Sequence, residues 1–130
     1  MAWLSFTPLV HKKNKMLDIV LKGHEKTEGR TVRTTFVLDF NSENEVIGVE
    51  IINLRAIAGP SALSDYAWKP EKPNKEMRVS YDEDADAFYV SLSSERSINQ
   101  GAVDGTLVLD SAGCVVRIEC DLSDSEEEQN

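Results

Sequence analysis

The chain has 130 residues, 41% of them hydrophobic, with a formal net charge of −9. That is enough apolar material for one compact core and too little for two independent ones. No apolar run approaches a membrane-spanning length, and the acidic balance disfavours a nucleic-acid backbone as partner.

The charge is unevenly placed. Residues 1–58 carry eight Lys/Arg against seven Asp/Glu, and residues 77–130 carry three against thirteen. An acidic second half suits a basic protein partner, or simply solubility. The opening stretch has its charges after the apolar residues, the reverse of a secretory leader, so a cytoplasmic protein is expected. Cys114 and Cys120 would lie about 20 Å apart on one extended strand, so both are expected to be free thiols.

In chain order, Trp3, Phe6, Leu9 and Val10 form an apolar opening broken by Pro8, which suits an edge strand or a strand start better than a helix. His11–Lys15 reads as a polar turn and Met16–Leu21 as a short strand. Gly23–Arg30 reads as a loop. Thr31–Asp39 is dense in β-branched residues and is the clearest strand of the first half. Phe40–Asn44 makes a turn, and Glu45–Ile52 returns. Gly59-Pro60-Ser61 predicts a short helix running to Trp68, and Lys69–Glu76 a stiff connector. A second strand set follows at Arg78–Tyr81, Ala87–Ser93, Ile98–Val103, Thr106–Asp110 and Cys114–Cys120. Residues 123–130 hold no apolar side chain and are expected to be a disordered acidic tail. Ser123 and Ser125, set among Asp124 and Glu126–Glu128, resemble an acidophilic kinase site in a eukaryotic cell and a solubilising tail in a bacterium.

The two halves resemble each other. A shift of 71 places Leu21 on Leu92, Val32 on Val103, Thr35 on Thr106, Val37 on Val108, Leu38 on Leu109 and Asp39 on Asp110. Beyond Asp39 the copies differ by two residues, so that Glu50 matches Glu119. The expected architecture is mainly β: one domain over residues 1–122, two tandem β-meander repeats (1–58 and 77–122) packed with pseudo-twofold symmetry, and one short helix in the connector 59–76. A single meander buries too little surface to stand alone, so the copies should share a core. The same shift lays the basic His11–Lys15 over the acidic Asp82–Asp86.

The string Met77-Arg-Val-Ser-Tyr-Asp-Glu-Asp-Ala-Asp-Ala-Phe-Tyr-Val-Ser-Leu92 resembles the opening of domain-of-unknown-function family 2283, small proteins of bacteria and phages. Phe36-Val-Leu-Asp39 and Val46-Ile-Gly-Val-Glu-Ile51 resemble that family's ending. Arg117 stands where the first copy has Gly48, and the first copy lacks the Tyr-Asp step. The resemblance implies a small, mostly-β domain that dimerises, with no established activity. Its members often look like partners of small toxin-like proteins, which implies an antitoxin or immunity role.

The candidate chemistry is sparse. Asp82, Asp84 and Asp86 have the spacing that opens a calcium loop, but the required glycine and closing glutamate are replaced by Ala87 and Ser93. An acidic turn is the simpler reading. Asp39/Glu50 and Asp110/Glu119 are paired carboxylates suited to acid–base work, although aspartate at a strand end commonly serves the turn. His11 and His24 lack the convergent partners zinc requires, and no nucleophile elbow or nucleotide-binding loop occurs. No catalytic residue, metal or cofactor is assigned. Phe88 and Tyr89 must face opposite sides of their strand, one into the core and one toward the connector or a partner.

The expected function is a non-enzymatic protein-binding domain, an immunity-like partner of a basic protein, with Asp82, Glu83, Asp84, Asp86 and Tyr89 as the contact residues. The alternatives are a small acid–base enzyme working between the repeats and a structural homo-oligomer.

Overall fold

The computed structural model describes residues 1–21 and 28–122. The chain is mainly β, as expected, and forms a single curled antiparallel sheet with one short helix. Its elements are β1 (Ala2–Leu4), β2 (Leu9–Lys13), β3 (Met16–Val20), β4 (Glu28–Phe40), β5 (Val46–Ile52), α1 (Leu54–Ala58), β6 (Trp68–Lys69), β7 (Arg78–Asp82), β8 (Ala87–Ser91), β9 (Asn99–Asp110) and β10 (Val115–Asp121).

The strand order is β2-β3-β10-β9-β4-β5-β8-β7-β1-β6. Four hairpins therefore alternate across the sheet: β2–β3 from the first half, β10–β9 from the second, β4–β5 from the first and β8–β7 from the second. Neither half pairs its own two hairpins with each other. The longest pairing is β4 with β9, from Glu28↔Asp110 to Phe40↔Asn99. Alternation along the strands turns Ile19, Phe36, Leu38, Val49, Phe88, Val90, Leu107 and Ile118 to one face, where all are buried. Residues 54–66 close this core through Leu54, Ala58, Ala62, Leu63 and Tyr66, anchored where the Val115 amide donates to the Ala62 carbonyl.

Several local expectations are corrected. The helix occupies Leu54–Ala58, upstream of the connector, and Gly59 ends it. With φ at 107°, Gly59 is a stop that suits glycine. The apolar opening forms two strands rather than one: β2 starts directly after Pro8 and is an edge strand, as expected, whereas β1 lies far from it in the sheet. His11–Lys13 belong to β2, so the turn shrinks to Asn14-Lys15. Gly105 does not divide Ile98–Val103 from Thr106–Asp110; β9 runs straight through it. The Phe36 ring lies across Gly105 where any Cβ would collide. The expected loop at 23–30 falls largely outside the described residues, its last residues joining β4, and the expected disordered tail at 123–130 lies wholly outside them. Cys114 and Cys120 are buried and form no disulfide, and no helix among the described residues is long and apolar enough to cross a membrane.

The two long turns share one hydrogen-bond pattern. Asn41 N–H donates to Glu45 O and Asn44 N–H to Asn41 O; Asp110 N–H donates to Cys114 O and Gly113 N–H to Asp110 O. Turn geometry thus matches Asn41 to Asp110, two residues away from the sequence match of Asp39 to Asp110.

Candidate functional site

The face of the sheet opposite the core carries a polar row. Leu38 points into the core, so Asp39 must point away from it, yet only 7% of Asp39 is exposed. Three neutral donors surround its carboxylate. Tyr89 Oη donates to Oδ2 at 2.7 Å, Gln100 Nε2 to Oδ1 at 2.8 Å and Ser97 Oγ to Oδ1 at 3.1 Å. Tyr89 lies on β8 and reaches β4 by crossing β5 at Gly48, where a Cβ would strike its phenol. Glycine is required there for that close approach.

Asp110 has a different task. Its Oδ1 accepts the Ala112 and Cys114 amides within the turn, as Asn41 Oδ1 accepts those of Glu43 and Glu45. Asn41 therefore relieves Asp39 of turn duty and leaves it for Tyr89. On the same face, at the β3–β10 end of the sheet, Arg117 pairs with Asp18 at 3.6 Å and Glu119 at 3.0 Å. An ion-pair cluster stands there in place of the tyrosine contact.

Beside Tyr89 opens a cleft of about 550 Å³, lined on β5, β8 and β7 by Glu50, Tyr89, Arg78, Ser80 and Asp82, with Trp3 and Glu95 at its sides. Three carboxylates face one guanidinium. Burial, then the Asp39 carboxylate that accepts its hydrogen bond, holds the Tyr89 phenol well above its ordinary pKa. At neutral pH it is a fixed donor rather than a base.

The expected contact residues divide. Asp82 and Tyr89 line the cleft, as Oδ1 of Asp82 also accepts the Asp84 and Ala85 amides. Glu83 lines a smaller hollow with Arg55, Trp68 and Tyr81. Asp84 is exposed at the turn tip. Asp86 turns back into the protein. Its carboxylate accepts the Arg55 amide at 2.9 Å, the Ala56 amide at 3.2 Å and the Tyr81 hydroxyl at 2.6 Å. It thereby caps α1, whose own N-cap residue, Asn53, makes no side-chain cap bond. Burial alone would raise the Asp86 pKa, but the Tyr81 hydroxyl, the two amides and the Arg55 charge together lower it.

Sequence reasoning missed Glu50 as a cleft residue, having paired it with Asp39 for catalysis. The two do not share the cleft: Glu50 lines it, and Asp39 lies behind the Tyr89 ring. It also missed Arg78 and Glu95, which no motif marks. The glycine at position 48, opposite Asp39 in the β4–β5 register, was the available signal for the tyrosine crossing. Among the described residues, no group of three or more His, Cys, Asp or Glu side chains is placed to hold a metal ion. The likeness to family 2283 rests on the quoted residues alone: no family model, curated protein or solved structure matches the chain.

Proposed function

We propose that this protein is a non-enzymatic binding domain whose cleft on β5, β8 and β7 takes an extended basic segment of a partner protein, in the manner of an immunity or antitoxin protein. The observation that carries this reading is the cleft's composition: Glu50, Asp82 and Glu95 around Tyr89 and Trp3, with the Arg78 guanidinium among them and Met1 at the rim. Carboxylates bind guanidinium and ammonium groups through charge-assisted hydrogen bonds, and aromatic faces add cation–π attraction. The phenol is committed to Asp39 as a donor, and Asp39 and Glu50 do not converge on one space, which favours binding over acid–base chemistry. The repeated strand pattern and the resemblance to family 2283 support descent from a duplicated small β unit, and the acidic surface fits a cytoplasmic setting.

A labelled extended peptide of alternating arginine and valine, titrated at low salt and followed by fluorescence anisotropy, tests the reading. Binding should weaken about tenfold or more in the E50Q/D82N variant, and further with added salt. Equal affinity for the variant and the parent chain would defeat it.

A further inference from the structure

Alternation along β7 sends Ser80 and Asp82 to the cleft and Tyr81 to the opposite face. There Tyr81 joins Arg55, Trp68, Lys69, Pro70 and Glu83 around a second hollow of about 360 Å³, with Met1 lining both spaces. Three distant segments build its wall. Asp86 accepts the Arg55 amide and so holds α1 beside β7. The pairing Leu4↔Trp68 carries β6 onto β1, and the Trp68 and Tyr81 rings come to 6.0 Å between centroids. The Arg55 Cζ lies over the Tyr81 ring, 5.1 Å from its centroid.

Arg55 is the side chain here that lacks a counterpart. Its guanidinium makes no ion pair or hydrogen bond with any described residue, and its Nε is buried without a partner. The Asp86 carboxylate, whose charge it feels, is already taken up by the Arg55 and Ala56 amides and the Tyr81 hydroxyl. A guanidinium laid over an aromatic ring keeps its in-plane N–H groups open, and a carboxylate engages two of them at once. Among the described residues the lining holds one carboxylate, Glu83, which is exposed. One cation without a partner and one acid beside it suit a ligand with a single negative charge better than a phosphate dianion.

We propose that this hollow is a second binding site, separate from the cleft, for a carboxylate carried on a flat aromatic group. The carboxylate sits on the outer N–H groups of Arg55, and the ring lies against Trp68 and Pro70. A free aromatic acid and the C-terminal residue of a peptide ending in phenylalanine offer the same chemistry. The volume suits one such group, standing near the lower end of the range for small-molecule sites, about 300–1,000 Å³.

Titration of the full chain with phenylacetate, followed through backbone amide and indole shifts, tests this. Saturable shifts should centre on Arg55, Trp68 and Tyr81. Binding should weaken at least tenfold in Arg55→Gln, less in Arg55→Lys, and tighten in Glu83→Gln. The Asp86 cap uses the Arg55 amide rather than its side chain, so α1 is kept in these variants; unchanged Ile19 and Ile118 amide shifts check the fold. The E50Q/D82N variant should bind phenylacetate as the parent chain does, which separates this site from the cleft. N-acetyl-alanyl-phenylalanine binding more tightly than phenylacetate assigns the site to a peptide terminus, and the reverse order assigns it to a free acid. Equal affinity for phenylacetate and neutral phenylacetamide, equal affinity in Arg55→Gln and the parent chain, or no saturable shift up to about 10 mM would overturn the proposal.

Discussion

Tyr89 and Asp39 are fifty residues apart and two strands apart, yet joined by a 2.7 Å hydrogen bond that passes over the bare backbone of Gly48. The bond ties β8 to β4 across β5 and buries a carboxylate on the face away from the core. Removing the phenol oxygen in Tyr89→Phe should cost about 1.5–3 kcal/mol in urea unfolding, the range for a hydrogen bond to a charged group. Gly48→Ala should cost about 2–4 kcal/mol, because it overpacks the site and expels Tyr89. The G48A/Y89A pair should then be less destabilised than the sum of its members by at least about 1 kcal/mol.

Asp86 caps a helix that begins thirty-two residues before it. Its folded-state pKa is lowered, so the unfolded chain takes up the proton first as pH falls. The stability it contributes is complete above about pH 5 and drains away as pH falls from about 4 through the folded value. Asp86→Asn should lower stability by about 1–3 kcal/mol at pH 7 and flatten the acid limb of the stability curve. Unfolding midpoints collected between pH 2.5 and 7 check both effects.

All three tyrosines resist ionisation. Burial, then the Asp86 bond, pushes Tyr81 up to about 12; burial, then Cys114 beside it, carries Tyr66 higher, and Tyr89 is raised also. An unfolded tyrosine ionises near 10. The stabilisation is therefore intact below about pH 10 and is lost as pH rises toward the folded values. Absorbance at 295 nm should stay flat through about pH 10, then rise in one step together with loss of the far-ultraviolet sheet signal. A tyrosinate step near pH 10 on an intact sheet would contradict these placements.

The alternation of hairpins makes each half dependent on the other. A cut in the connector between Glu71 and Lys72 leaves the second fragment with β7–β8 and β9–β10 but without β1, β3, β4 and β5, the strands between and beside them. Each fragment alone should lack cooperative unfolding, and an equimolar mixture should regain it. Circular dichroism of the separate and mixed fragments decides.

Much of this architecture is legible in residue pattern. The β-branched run at 31–39 and the Phe88-Tyr89 step identify strands and their faces, because a period of two leaves little choice once one side is apolar. The order of the hairpins is not legible, since hairpin turns specify nearest pairings and long-range register depends on the complete core. The helix was misplaced for a local reason. Gly59-Pro60 looks like a start when its glycine is in fact a stop, and the cap that starts α1 is supplied by Asp86 from a distant turn. At the cleft, Asp82 and Tyr89 stood out as an acidic turn and an aromatic step. Glu50, Arg78 and Glu95 join them only through the β5–β8–β7 pairing. The shift of 71 put Asp39 on Asp110 because both follow Val-Leu, whereas the backbone turn uses Asn41.

The central claim, that the cleft is where a basic segment binds, is tested most directly by mapping backbone amide shifts on the full chain during titration with the arginine–valine peptide. Saturable shifts should concentrate at Glu50, Arg78–Asp82 and Ala87–Ser91 and disappear in E50Q/D82N. Shifts spread over the acidic surface without saturation, or centred outside β5, β7 and β8, would contradict it.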